Sequence, residues 1–331
     1  QLNATYLNDD HFNFGVMYEK YLLSGDIADL NELQIRIRGN IHNYIEYSQD
    51  YANAGLYDEA IDLLLLGITH NDNYPLAWYF LGWLYGKKNN VLKAGESFNR
   101  ATFVNPDYCF PNQVEAVKIF EAAISFNPKD AKAHYYLGNF WYAAKQYKEA
   151  ITNWEKSSEL DNSFPTVQRN LALGYFNKSG DALKALACLE KAFELDDSDS
   201  RLLMELDQLY KRLNKDLIFR LTFLEKHIDL VMQRDDVYLE RITLYNLLGK
   251  HEFALTLIQK RIFHPWEGGE GKVAGQYIIS LIEMSKDFID ACKYDKAIDY
   301  LERAKMYPDN LGEGKLHGIQ ENDINYWLGV A

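Results

Sequence analysis

The chain comprises 331 residues, of which 47% are hydrophobic, and it carries a formal net charge of −13 at pH 7. This negative charge opposes nonspecific binding to nucleic acid or to anionic lipid surfaces. No apolar run approaches the roughly 20 residues that a membrane-spanning helix requires. The three cysteines, at positions 109, 188 and 292, are too far apart to indicate a metal site or a disulfide framework. We therefore predict no nucleic-acid partner and no membrane span.

The first 40 residues predict two helices joined by the sequence Ser24-Gly25-Asp26. These helices fit the repeat pattern of the following segment poorly. We expect residues 1–40 to cap the helical array that begins at Ile41.

A pattern of large and small residues recurs from residue 41 onward. Its clearest copy has Trp78, Leu81, Tyr85 and Phe98 as the large residues, Gly82, Ala94 and Ala101 as the small residues, and Pro106 at its end. Small residues let two antiparallel helices approach closely, while large residues fill the seam between them. An upstream copy places Ala60 34 residues before Ala94, and weaker copies continue to Ala304. Each helix pair leaves an apolar face uncovered, so neighbouring pairs must stack.

This order of residues resembles the tetratricopeptide repeat, whose period is also 34 residues. The resemblance implies an all-α fold, a right-handed superhelical solenoid of stacked antiparallel helix pairs. We predict an array over residues 41–262 and C-terminal repeats over residues 263–331. Between Pro106 and Pro128 there is room for only one helix, so we expect a single unpaired helix near residues 111–126.

Two glycine-rich loops interrupt the C-terminal repeats, at residues 268–275 and 312–318. Both contain Gly-Glu-Gly-Lys, an aliphatic residue, one variable residue and Gly. One interpretation is that the loops form a ligand or partner site; the other is that glycine permits close packing and positive φ at tight turns. The strings lack the spacing and the Ser or Thr of a phosphate-binding loop. The candidate loop residues are His264, Trp266, Glu267, Glu270, Lys272, Glu313, Lys315 and His317.

The loop pair, with the segments His42–Tyr47 and Leu206–Tyr210, looks like the helical repeat region of large bacterial proteins of uncharacterised function. In those proteins the array follows a β-sandwich portion that resembles carbohydrate-active folds. The resemblance implies that the chain serves a larger protein and contacts its own upstream domain. Because the chain begins with Gln1 and a polar stretch, we expect it to be a piece of a longer protein. Its compartment, cytoplasm or periplasm, stays open.

In tetratricopeptide repeats the first helix of each pair lines a concave groove, and five of its positions point into that groove. Applied to six copies, this convention selects basic, aromatic and amide residues. They are Tyr79, Trp83, Lys87, Lys132, Tyr135, Asn139, Tyr142, Arg169, Phe176, Asn177, Arg201, Lys211 and Arg212. We predict that they bind a protein or peptide segment that is acidic or has a free carboxylate, or else a helix or domain of a partner protein. Alternatively, the basic residues offset acids on neighbouring helices and the aromatic residues fill seams; stacking on a sugar is a third, weaker interpretation.

The sequence contains no recognisable catalytic motif. Its eight histidines include no His-Glu-x-x-His zinc motif, and no Gly-x-Ser-x-Gly nucleophile elbow occurs. We therefore expect no catalysis, no cofactor and no metal in this chain. The predicted function is a protein–protein interaction scaffold. The alternative is an accessory region of a larger carbohydrate-active enzyme, in which the glycine-rich loops complete a ligand site.

Overall fold

The computed structural model describes residues 10–315 and 321–331, and within those residues the regular structure is entirely helical. The chain divides into two compact units, Gln1–Gly180 and Asp181–Ala331. In each unit helices that follow one another in the sequence pack together. The predicted all-α fold of stacked helix pairs is confirmed.

The first unit contains ten α-helices in its described part. They are α1 (Phe14–Ser24), α2 (Ile27–Ile37), α3 (Ile41–Asn53), α4 (Tyr57–His70), α5 (Pro75–Lys87), α6 (Val91–Phe103), α7 (Glu115–Phe126), α8 (Ala131–Ala143), α9 (Tyr147–Leu160) and α10 (Pro165–Gly174). A π-helical turn, Tyr175–Ser179, follows α10. Side chains at Asn40, Asn90 and Asp130 cap the helices that follow them, and Pro75 and Pro165 occupy first turns, where their missing N–H groups have no helical partner to lose.

The second unit contains nine α-helices in its described part. They are α11 (Ala182–Leu195), α12 (Ser200–Arg212), α13 (Leu217–Lys226), α14 (Ile228–Val231), α15 (Asp235–Leu247), α16 (His251–Lys260), α17 (Lys272–Asp290), α18 (Tyr294–Ala304) and α19 (Asn322–Val330). A 3-10 turn, Asp309–Leu311, lies between α18 and α19. At 19 residues, α17 is the longest of these helices, and it begins in the first glycine-rich loop.

Small residues bring the two helices of a pair together, as the sequence pattern predicts. A Cβ atom on Gly82 of α5 would lie 2.6 Å from the ring of Phe98 on α6. A Cβ on Gly138 of α8 would lie 2.4 Å from the indole of Trp154 on α9. At these positions an aromatic side chain of the second helix occupies the space that any larger residue would need.

Helix α7 stands where the repeat pattern lacks a first helix, since residues 104–114 form no helix. It packs against α5 and α8 through Phe120, whose ring lies 5.2 Å from Tyr79 and 5.5 Å from Tyr136. The hydroxyl of Tyr79 donates to Asp130 at 3.0 Å, and Asp130 accepts from the N–H of Ala133 at 3.0 Å. Asp130 therefore both caps α8 and ties it to α5.

The environment of His227, which lies between α13 and α14, should make the free energy of unfolding depend on pH. Its imidazole lies edge-on to Phe193 at 5.0 Å and to Phe223 at 5.3 Å. Burial, and next Lys226, lower the pKa of His227 below its usual value, against the opposing effect of Asp197. As pH falls below about 6.5 the unfolded chain takes up this proton before the folded chain does, so the free energy of unfolding falls.

We expect His227→Gln, which cannot titrate, to show a shallower fall in the midpoint of thermal unfolding between about pH 8 and about pH 5.5. Identical slopes for the two proteins would contradict this role of His227.

Candidate binding surfaces

Trp83 and Lys87, two residues of the predicted groove, border a pocket between α5, α6 and α7. This α5–α7 pocket has a volume of about 490 Å³ and is open to solvent. Its lining residues are Gly82, Trp83, Gly86, Lys87, Val91, Ala94, Phe98, Ala122, Ser125 and Phe126. Trp83 is half-buried against Tyr57 and Phe80, and the ammonium of Lys87 lies 5.1 Å from the centre of its ring.

Tyr79 and Tyr135, also predicted for the groove, are core residues instead. Tyr79 is 0% exposed and Tyr135 is 5% exposed. Tyr79 is covered by α7 and α8, and Tyr135 packs on Phe164 at 4.8 Å. A ligand in the groove could not touch these two buried side chains, so the prediction that they contact it is wrong. They fill the seams between helices, as the alternative interpretation expects.

Three further groove candidates on α8 are engaged within the first unit. The ammonium of Lys132 donates to the carbonyl of Val104 at 2.8 Å. The side-chain oxygen of Asn139 accepts from Trp154 and from Asn170, both at 3.0 Å. Tyr142 packs on Tyr147 and Trp154. These contacts hold α8, α9 and α10 together. Of the remaining candidates in this unit, Arg169 and Phe176 are half-buried and Asn177 is exposed.

The basic candidates of the second unit are partly offset by carboxylates. Arg201 pairs with Glu205 at 3.2 Å, and Lys211 pairs with Glu240 at 2.8 Å, while Arg212 is exposed. Both glutamates occupy the sixth position of their first helices, next to positions that the convention selects. The groove convention therefore selects Arg201 and Lys211 but leaves out the two glutamates that neutralise them, so the selected set is more basic than the surface.

The two glycine-rich loops meet at the start of α17. One carboxylate oxygen of Glu313 accepts from the N–H of Gly271 and the other from the N–H of Ala274, each at 2.6 Å. Gly271 is the N-cap residue of α17 and Ala274 lies in its first turn, so neither N–H group has a partner inside the helix. A carboxylate is favoured there by the helix dipole, so the second loop caps the helix that the first loop begins.

The chain after α16 is fixed through its backbone to the 3-10 turn that precedes the second loop. The N–H of Phe263 donates to the carbonyl of Asn310 at 2.9 Å, and the side chain of Asn310 donates to the carbonyls of Ile258 and Arg261. Gly312 has φ of 69°, and a Cβ on it would lie 2.3 Å from the carbonyl oxygen of Phe263. At least one glycine of the repeated string, Gly312, is thus required for close packing.

A cavity of about 350 Å³ nevertheless remains between the loops, and we call it the loop cavity. It is lined by His264, Pro265, Trp266, Glu267, Gly269, Glu270, Val273, Leu311, Gly312, Glu313 and Gly314. Asp235 accepts from the backbone N–H of His264 at 2.9 Å, and the same carboxylate oxygen lies 3.3 Å from the imidazole Nδ1. With burial opposing, the N–H of His264 and the guanidinium of Arg261 lower the pKa of Asp235.

The structure brings most of the loop candidates together. His264, Trp266, Glu267, Glu270 and Glu313 line the cavity. Lys272 is exposed in the first turn of α17, and Lys315 pairs with Glu321; neither lines the cavity. His317 lies outside the described residues.

The described residues contain no group of three or more His, Cys, Asp or Glu side chains placed to hold a metal ion. Over the same residues, no helix has the length and apolar character that crossing a membrane requires.

The tetratricopeptide repeat family matches the chain at residues 76–108, which include α6 and nearly all of α5, and at residues 115–162, which span α7, α8 and α9. The second match begins at the unpaired helix α7. Solenoids of such repeats present extended surfaces to other molecules.

Several solved structures of tetratricopeptide repeat proteins are similar to the chain. One, from Parabacteroides merdae, is 15% identical over 88% of this chain and 98% of its own, with a TM-score of 0.35. YrrB, described as having an unusual peptide-binding site, is 18% identical over 57% of this chain and 91% of its own, with a TM-score of 0.42. A thermophilic protein from Thermus thermophilus is 16% identical over 62% of this chain and 98% of its own, with a TM-score of 0.35.

Proposed function

We propose that this chain is a protein-interaction scaffold that binds a segment of a partner protein at the α5–α7 pocket. The observation that carries the proposal is that Trp83 and Lys87, both at predicted groove positions, line an open pocket. Other aromatic groove candidates, such as Tyr79, are buried. The binding surface is therefore centred where the repeat lacks a helix.

The apolar lining of the α5–α7 pocket supports an apolar anchor on the partner. Val91 is 69% exposed and Phe126 is 44% exposed, and both border the same space as Trp83 and Phe98. Aromatic residues grouped around a pocket provide the contact area typical of binding hot spots. An aliphatic or aromatic side chain of the partner would remove this surface from water.

The charge at the pocket supports an acidic partner segment. Lys87 is exposed, and within residues 10–315 and 321–331 it has no carboxylate partner. It differs in this from Lys132 and Lys211, whose ammonium groups are engaged. A carboxylate next to the partner's anchor would form a charge-assisted hydrogen bond with Lys87.

We expect short random peptides selected for binding to this chain to combine an apolar or aromatic residue with a nearby Asp or Glu. Lys87→Glu should weaken the selected peptides at least about tenfold, which corresponds to about 1.4 kcal/mol, because it replaces attraction with repulsion. Trp83→Leu should weaken them by a similar factor through lost contact area. Fluorescence anisotropy with labelled peptides measures both effects.

Lys93→Glu is the matched control, since Lys93 is an exposed lysine over the ring of Tyr85 and does not line the pocket. It should change affinity by less than about threefold, as expected for a charge outside the contact. Equal losses for Lys87→Glu and Lys93→Glu would reduce the effect to overall charge and remove the pocket from the proposal.

The alternative function, an accessory region of a larger carbohydrate-active enzyme, concerns the glycine-rich loops. It requires that the loops leave a space for a ligand, and the loop cavity is compatible with that requirement. The charge and the apolar character of the residues that line the loop cavity indicate which class of ligand it fits.

A further inference from the structure

The walls of the loop cavity are mainly apolar. Pro265, Trp266, Val273 and Leu311 contribute to its lining. Gly269 leaves room for the indole of Trp266, because a Cβ at Gly269 would lie 2.3 Å from the Cε2 atom of the ring. At about 350 Å³ the cavity falls at the lower end of the range for small-ligand sites, which suits one side chain or one small molecule.

The charged groups around the cavity are almost all acidic. Glu267, Glu270 and Glu313 line it, and the lining contains neither Lys nor Arg. The one nitrogen base in the lining, the imidazole of His264, has its Nδ1 atom 3.3 Å from Asp235 Oδ2. An anionic ligand would therefore meet glutamates without any Lys or Arg in the lining to offset them.

The three carboxylates differ in what they already bind. Glu313 accepts two N–H groups at 2.6 Å and is committed to the cap of α17. Glu270 accepts one long hydrogen bond, 3.3 Å, from the N–H of Gly268. Glu267 is exposed and has neither a hydrogen bond nor an ion pair with any of the described residues. Glu267 is thus the carboxylate that a ligand can reach without breaking an existing contact.

We propose that the loop cavity binds an organic cation with an alkyl chain, either the side chain of a lysine in a partner segment or a free alkylamine. The methylene groups pack on Val273 and Leu311, and the ammonium lies between Glu267 and the indole of Trp266. A lysine-like group fits because it joins an apolar stem to a compact positive charge. The cavity lies in the second unit, so this proposal is independent of the α5–α7 pocket in the first.

The test is an NMR titration of the full chain, following the indole N–H signal of Trp266. The chain has six tryptophans, and the variant Trp266→Phe assigns the signal. The probe is Nα-acetyl-lysine N-methylamide, and its norleucine counterpart, which lacks the charge, is the matched probe. We expect the lysine probe to shift the signal with a dissociation constant in the millimolar range, and the norleucine probe to bind at least about fivefold more weakly.

Glu267→Gln keeps the size of the side chain and removes its charge, so it should weaken the lysine probe about fivefold. Glu252→Gln, at an exposed glutamate of α16 outside the cavity, should leave binding unchanged. A third probe, n-butylammonium, distinguishes the two sources: tighter binding of the lysine probe indicates a polypeptide, and equal binding indicates a free amine.

Three outcomes would overturn the proposal. The first is equal affinity for the lysine and norleucine probes, which would make the cavity merely apolar. The second is a shift produced by methyl glucoside and not by the amines, which would assign the cavity to a sugar. The third is an unshifted Trp266 signal with every cationic probe at the concentration where millimolar binding would saturate.

Discussion

Replacement of Arg220 by Met should destabilise the second unit by about 3–5 kcal/mol. Arg220 is 2% exposed, and its guanidinium binds Asp207 through two hydrogen bonds of 3.0 and 2.7 Å and Glu240 through one of 2.8 Å. Asp207 is also 2% exposed. Without the guanidinium this carboxylate would stay buried and uncompensated, or would have to take up a proton.

Urea unfolding followed by circular dichroism measures this loss. Lys211→Met is the control, because Lys211 binds the same Glu240 from an exposed position, and such surface pairs contribute at most about 1 kcal/mol. The double variant Arg220→Met with Asp207→Leu should regain much of the stability, since it removes both charges. A loss below about 1 kcal/mol for Arg220→Met alone would show that the charge network does not hold α12, α13 and α15 together.

The pKa shifts of Asp207 and Glu240 agree with a free-energy cost of burying their carboxylates. Burial raises the pKa of Asp207 in spite of the hydrogen bonds from Arg220. For Glu240 burial also acts to raise the pKa, but Lys211 and Arg220 outweigh it and lower the pKa. The arginine thus compensates two carboxylates at once, which explains why its removal should cost more than the loss of a single ion pair.

The second large effect is expected at Gly312, where alanine should cost about 2–4 kcal/mol and separate the two glycine-rich loops. A non-glycine residue is strained at φ of 69°. Its Cβ would also lie 2.3 Å from the carbonyl oxygen of Phe263, a backbone atom that cannot rotate away. The contact between Phe263 and Asn310 would open, and Glu313 would move away from α17.

Gly314→Ala provides the matched control two residues further on. No atom lies within 4 Å of the Cβ that would be added there, so its effect should be within about 0.5 kcal/mol. Hydrogen exchange of the Gly271 and Ala274 amides would report the release of Glu313 directly. Equal stability of the two variants, with unchanged exchange at these amides, would contradict the packing role of Gly312.

The fold was largely predictable from the sequence because local spacing determines it. Gly82 with Phe98, and Gly138 with Trp154, place a missing side chain opposite a large one, and the structure pairs them as the pattern requires. The distance between Pro106 and Pro128 leaves room for one helix, and α7 occupies Glu115–Phe126 of that interval. These inferences use contacts within one repeat, which a 34-residue period makes visible.

The binding surfaces were less predictable, because they depend on neighbours that the period does not specify. Tyr79 occupies a groove position, yet it is buried because α7 and α8 close over it where a first helix is absent. The compensation of Arg201 and Lys211 depends on Glu205 and Glu240, which lie just outside the groove positions. The cap that Glu313 places on α17 joins residues 39 and 42 positions apart, beyond any local pattern.

The anchoring of the second loop has a consequence for how the chain can be shortened. In an ordinary solenoid each repeat relies on its immediate neighbours, so repeats can be removed from an end one at a time. Here a cut after α18 would remove Asn310, which supports the chain leaving α16, and Glu313, which starts α17. A chain cut before residue 313 should therefore lose about 0.5–2 kcal/mol at the start of α17, because the N–H groups of Gly271 and Ala274 would lose their carboxylate partner.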